Sequence, residues 1–221
     1  MSRAPTPTTV TTSTTNVLRF RIFVDFWNLQ ITLNERVAAA EKTPGARFDI
    51  DWRKLPTCLF DEAARIIGAS SARYDGTIVY TSNDPKSPAG KNHRKWATTW
   101  LDIQPGIQVQ CFERQRKKQP KCQACRKIIA ECPHCHQPLA GTTEKGVDTA
   151  IATDMIRLAW ESAYEVAVLA SSDADLVPAV QFLDQRGFRI LQAGFPPHGS
   201  HLSRACWATI DVFKLREHFR R

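Results

Sequence analysis

Asp25, Asp148, Asp173 and Asp175 each stand where an apolar run ends or a helical stretch begins, although they are scattered over most of the 221-residue chain. If folding gathers them, they make a metal pocket. In an open parallel α/β sheet the carboxyl ends of the strands converge on one edge, so residues remote in sequence meet there. Carboxylates that meet repel, and a hard divalent cation such as Mg²⁺ or Mn²⁺ relieves the repulsion while equipping the site to attack phosphodiesters. Each acid also has a plainer reading. Asp25 is placed to cap the helix after the first strand. In Ser171-Ser-Asp-Ala-Asp-Leu, Ser172 and Asp175 fit a capping box, and Asp148 opens a helix whose dipole favours an acid. Two carboxylates on one turn exceed what a cap needs, and three such places, with Asn28 and Lys145 alongside, fit one pocket better than separate coincidences.

The elements that must position these acids alternate. Residues 18–24 (LRFRIFV) read as a strand and residues 29–40 as a helix; a second helix covers 52–67, with Pro56 in its first turn, where a missing N–H costs little. A strand over 76–80 is followed by a loop over 81–90, a basic helical stretch over 91–101 and a third strand over 107–112. After a charged and cysteine-rich segment, a helix over 147–160 carries an apolar stripe of Ile151, Met155, Leu158 and Ala159. The near-continuous apolar run 165–170 suits the centre of a parallel sheet. A helix over 176–186, stopped by Gly187, leads to a strand over 188–193, and residues 209–213 supply an edge strand before a basic C-terminal helix. Strands alternating with helices predict a doubly wound, mainly parallel α/β sheet with right-handed crossovers.

Residues 114–141 interrupt this pattern as a basic insertion. Cys122, Cys125, Cys132 and Cys135 form two Cys-x-x-Cys pairs six residues apart, a set suited to one structural Zn²⁺ with four thiolate ligands. His134 or His136 replacing one cysteine is the lesser alternative, and paired disulfides suit an oxidising compartment better than the one expected here. So small a segment has almost no core, so metal binding would be what folds it. Arg114, Arg116, Lys117, Lys118 and Lys121 surround it and predict contact with a nucleic-acid backbone, as do Lys91, Arg94 and Lys95 on the basic helix. A run of charges is also simply a solvated face, and Trp96 and Trp100, four residues apart, read as core.

With 43% hydrophobic and 24% charged residues, the chain suits one sizeable domain plus a small appendage. Its net charge of +8 fits a polyanionic partner. Residues 1–16, rich in Thr, Ser and Pro, read as a disordered tail, and no apolar stretch is long enough to span a bilayer, so a cytoplasmic protein is expected.

Three blocks add a resemblance: Ile22-Phe-Val-Asp-Phe-Trp-Asn28, Lys145-Gly-Val-Asp-Thr-Ala-Ile-Ala-Thr-Asp154-Met and Val168-Leu-Ala-Ser-Ser-Asp-Ala-Asp-Leu-Val-Pro178. In order and character they resemble the signature blocks of the NYN domain family, a branch of the PIN-like metal-dependent nucleases. The resemblance implies a Rossmann-like, three-layer α/β/α sandwich and a Mg²⁺- or Mn²⁺-dependent endoribonuclease. Carried onto these positions, it makes Asp25, Asp148 and Asp173 metal ligands, with Asp175 close by, Asn28 orienting substrate or water, and Asp154 as a supporting acid. Lys145 would offset charge on the phosphate. Where many relatives have Ser-Gly-Asp-Ser-Asp, this chain has Ser-Ser-Asp-Ala-Asp, which keeps both acids. A catalytically silent RNA-binding adaptor and a DNA-directed nuclease are the alternatives, and only the resemblance tips the choice toward RNA.

Overall fold

The first strand, β1 (Leu18–Asp25), runs straight into α1 (Phe26–Ala40), which starts three residues earlier than its composition suggests because Asp25 caps it. After α2 (Leu55–Ile67) comes β2 (Ala72–Asn83), then α3 (Pro88–Trp96), prolonged by a π-helical turn over Ala97–Leu101, and β3 (Ile107–Glu113). The second half holds α4 (Val147–Trp160), β6 (Val166–Ala170), a 3-10 turn (Ala174–Leu176), α5 (Val177–Asp184), β7 (Arg189–Gly194), α6 (Ser200–Ala205), β8 (Ala208–Asp211) and α7 (Val212–Leu215). Between the halves a short antiparallel ribbon pairs β4 (Gln115–Arg116) with β5 (Thr142–Thr143). This computed structural model describes residues 17–221, so the tail expected over 1–16 lies outside the described residues.

Six strands form one sheet in the order β3-β2-β1-β6-β7-β8, and every neighbouring pair is parallel. The chain therefore winds outward from β1 to β3, returns to the middle at β6, and winds outward again to β8. A crevice opens where the winding reverses, between the carboxyl ends of β1 and β6. Alternation along the central strands fills a core on each face. Phe20, Ile22 and Val24 meet Leu29, Leu33, Leu55 and Leu59 on one side, while Phe23, Ala167 and Leu169 meet Ile151, Met155, Val180 and Leu183 on the other. β6 is buried at every position, as a central parallel strand requires. The result is the α/β/α sandwich expected from the sequence.

One expected loop is a strand. Thr81, Ser82 and Asn83 extend β2, pairing with Cys111, Phe112 and Glu113, and all three are buried. Burial of these polar side chains is tolerable because Thr81 Oγ1 lies 2.7 Å from His93 Nε2 and the Ser82 hydroxyl donates to the Glu144 carboxylate. The turn that follows is tight. A Cβ on Gly90 would stand 2.1 Å from the Asp84 carbonyl oxygen, so only glycine fits there, and Ser87 caps α3 through the Gly90 N–H at 3.0 Å.

Candidate metal centre at the sheet edge

Asp25 closes β1 and caps α1 at once: its Oδ1 accepts the Asn28 N–H at 3.1 Å, and its Oδ2 faces the Ser171 hydroxyl at 3.4 Å. Asp173, beyond the end of β6, caps the 3-10 turn in the same way, accepting the Asp175 N–H at 2.9 Å. Asp148 sits in the first turn of α4, where the helix dipole favours a carboxylate. Capping and site formation are thus not rivals here, since a cap uses only one oxygen of Asp25 and of Asp173.

The two strand ends are stitched together. The Asn28 side-chain oxygen accepts the Ser172 N–H at 2.9 Å, tying the loop that carries Asp173 to α1. In this structure Asn28 therefore holds the loop through its side-chain oxygen.

One carboxylate oxygen from each of Asp148, Asp173 and Asp175 lies within 4.8 Å of the other two. Asp148 and Asp173 are half-buried, while Asp175 is exposed at the mouth. Asp25 lies deeper, only 4% exposed, and its carboxyl is pushed up to about 7 by burial first, then by the charges of Glu144 and Asp148. Burial also raises Asp148, with Asp173, Glu144 and Asp175 adding to the effect. Those dependences identify Glu144 as an acid of the same cleft, one that the sequence reasoning missed. Its carboxylate accepts the Ser82 hydroxyl, and Ser82 Oγ in turn accepts Arg114 Nε at 3.0 Å. The available signal was its position: it follows β5 and immediately precedes the Lys145-Gly-Val-Asp block. The donor set is all carboxylate oxygen, destabilised by its own crowding, which suits a hard divalent cation rather than a soft one.

Asp154 is not brought into this group. Tyr80 Oη and Gln110 Nε2 donate to its Oδ2 at 2.9 and 2.6 Å, and Arg157 Nη2 donates to its Oδ1 at 3.0 Å. Six residues beyond Asp148, α4 has turned this side chain away from the cleft and toward β2 and β3, so the supporting metal role expected of it gives way to a structural one.

The basic residues fall into three groups. Lys91, Arg94 and Lys95 lie exposed on α3, but Arg94 is paired with Glu113 at 3.1 Å. Trp96 and Trp100 stack at 5.9 Å against the core, as their spacing suggests. Arg114 sits at the cleft edge with its guanidinium 5.6 Å above the Trp27 ring, while Arg116, Lys117, Lys118 and Lys121 continue outward, exposed. Lys145 is exposed beside Glu144.

Beyond the ribbon the cysteine segment is an internal repeat with a period of ten residues. Cys122 N–H bonds the Lys127 carbonyl and Arg126 N–H the Cys122 carbonyl; Cys132 with Gln137 and His136 with Cys132 repeat the pattern, all four at 2.9 Å. Arg126 and His136 both take positive φ, at 60° and 58°, where the chain turns back over its cysteine. Each pair therefore sits in its own knuckle, and local hydrogen bonds, chiefly from backbone N–H groups, hold the Cys122 and Cys132 thiols below their ordinary range. Among the described residues, no three of these sulfurs lie within 4.8 Å of one another.

No helix among the described residues is long and apolar enough to cross a membrane. The family model described as the NYN domain matches residues 19–213. Among solved structures, a protein of unknown function from Vibrio parahaemolyticus is similar over 93% of this chain and 97% of that chain, with 13% identity and a TM-score of 0.52, a likeness of fold alone. An arabinose binding protein from Geobacillus stearothermophilus covers 91% of this chain and 87% of its own at 10% identity, but its TM-score of 0.24 supports no argument. No curated protein matches.

Proposed function

The chain belongs to the NYN domain family, and on that premise we propose that it is a metal-dependent endoribonuclease that hydrolyses RNA phosphodiesters at the crevice between β1 and β6. The observation that carries this reading is the convergence of Asp148, Asp173 and Asp175 within 4.8 Å, with Asp25 and Glu144 electrostatically coupled to them. A pure RNA binder gains nothing from negative charge massed where phosphates must approach.

Asp25, Asp148 and Asp173 would hold the Mg²⁺ or Mn²⁺. A cation bound there supplies Lewis acidity toward the scissile phosphate and acidifies a water molecule. The residues around it do the remaining work. Asp175, at the mouth, would orient the attacking water and accept its proton. Asn28 fixes the loop that carries Asp173 and Asp175 to the first strand's end, so the acids keep one geometry. Arg114, held over Trp27, faces phosphate with a guanidinium whose orientation is set before substrate arrives. Lys145 balances charge at the rim.

The twin knuckles would bind Zn²⁺ through Cys122, Cys125, Cys132 and Cys135, closing the two loops on one ion and stiffening a segment that displays cations to RNA. Hydrolysis assisted by metal does not require a 2′-hydroxyl, so DNA is the competing substrate.

The deciding measurement compares cleavage of labelled RNA and DNA strands with magnesium, with manganese and with neither, for the unmodified protein, Asp148→Asn and Asp173→Asn. RNA cleavage that needs the metal and is lost in both variants supports the proposal. Tight RNA binding without cleavage in either metal would replace it with an adaptor role.

A further inference from the structure

Beside the acid crevice, between the ribbon β4–β5 and the turn after β2, lies a cavity of about 710 Å³ whose charged lining is Lys86, Arg114, Arg116 and Lys117 against the single carboxylate of Asp84. We propose that it holds a backbone phosphate of the single nucleic-acid strand next to the one being cut, so that substrate is gripped at two points. The proposal rests on the nuclease reading for the word substrate, but its binding content stands without it.

Three features distinguish this cavity from an ordinary basic surface. First, its cations come from both walls: Lys86 from the turn after β2, the others from the chain that follows β3. Among the described residues none of Lys86, Arg114, Arg116 or Lys117 is in an ion pair, whereas Arg94 nearby is paired with Glu113. Concave, mutually repelling and unpaired cations lower their energy most by sharing one anion. Secondly, the walls are braced. Arg114 N–H bonds the Asn83 carbonyl and Lys117 N–H the Gly141 carbonyl, both at 2.8 Å, and Lys86 N–H bonds Asp84 Oδ1 at 2.9 Å. Thirdly, the cavity is wired to the acids. Arg114 lines it and donates to Ser82, whose hydroxyl donates to Glu144, the acid that raises both Asp25 and Asp148. A strand lying across Arg114 therefore passes directly from the cationic cavity to the carboxylates, with the half-buried Trp27 ring beneath the guanidinium at the crossing.

A phosphate-sized anion is the shared chemistry of a free phosphate and a strand, and salt dependence separates them. The binding of a labelled single-stranded oligoribonucleotide is followed by anisotropy over a range of salt, with no magnesium or manganese added. The unmodified protein is compared with the double variant Lys86→Ala, Arg116→Ala, one residue from each wall. A second double variant, Lys42→Ala, Arg47→Ala, removes equal charge from the exposed segment after α1. Losing the one phosphate held there reduces the slope of log K against log salt by about 0.7 and weakens binding roughly fivefold at moderate salt. The expected result is that loss in the first variant and almost none in the second. An equal loss in both, or none in either, overturns the proposal, as does inorganic phosphate competing for the protein as well as the oligonucleotide does. Cleavage in manganese is read on the same samples. If the double variant loses affinity and none of the proteins cleaves, the cavity assignment holds while the nuclease reading falls.

Discussion

Replacing Asp25 by Asn separates the electrostatic burden of the site from its packing. The carboxyl is pushed up to about 7 from an ordinary value near 3.8, chiefly by burial and then by Glu144 and Asp148. Keeping it ionised in the folded chain at pH 8 without a cation therefore costs about 4 kcal/mol. Between the unfolded and the folded pKa the native state binds more protons than the unfolded one. Its stability must then fall as pH rises from about 4 to about 7 and level off above that. Asparagine caps a helix as well as aspartate does, so the Asn28 N–H keeps its acceptor, but the new amide hydrogens are left short of partners at a cost of about 1–3 kcal/mol. Asp25→Asn is accordingly expected to be more stable than the unmodified protein at pH 8 by about 2 kcal/mol, and no more stable at pH 5. Urea unfolding followed by tryptophan fluorescence, with no magnesium or manganese added, measures both. Manganese at pH 8 should stabilise the unmodified protein by about 2.7 kcal/mol at a hundred times its dissociation constant, and the variant by less. If the difference between the two proteins is the same at pH 5 and pH 8, the charge on Asp25 is not what the fold is enduring and the reasoning fails.

Two further outcomes are expected. Asp154→Ala strands the fully buried Tyr80 hydroxyl together with Gln110 and should destabilise the protein by about 2–4 kcal/mol, while the turnover of the molecules that remain folded is little changed; a collapse of turnover at full stability would return Asp154 to the metal. Cys122→Ser and Cys132→Ser should each lower the zinc content of the purified chain and expose residues 117–127 to trypsin. Unchanged zinc in both would reject these ligands.

The acids were readable because strand ends and helix starts are marked by a change from apolar runs to polar turns, and Asp25, Asp148 and Asp173 stand on those marks. The parallel sheet was readable for the same reason, since β1 and β6 bury alternate or all side chains and have the composition to match. What escaped was polar sequence put to structural use. Thr81, Ser82 and Asn83 look like a loop, yet they are strand, because the Thr81 and Ser82 hydroxyls find partners only after the cleft has formed. Glu144 was hidden in the return from a charged insertion, and its relation to Asp25 is one of charge across the cleft, which only the fold creates. Asn28's spacing from Asp25 is visible in the sequence, but the Ser172 N–H that engages it belongs to a loop 144 residues away. Asp154 matched the family pattern in line while helical phase carried it to the other side.

Gln115 stands directly opposite Thr143 in the β4–β5 ribbon, so the excursion of the chain that holds both knuckles begins and ends side by side. Such a seam makes the whole excursion a cassette. It can lengthen, shrink, be exchanged or be lost, with a short turn left behind, while the register of the six central strands is untouched. Arg114 and Glu144 lie one residue outside the seam on either side and would remain with the main sheet. A change within the cassette is thereby uncoupled from the positions of Asp25, Asp148 and Asp173.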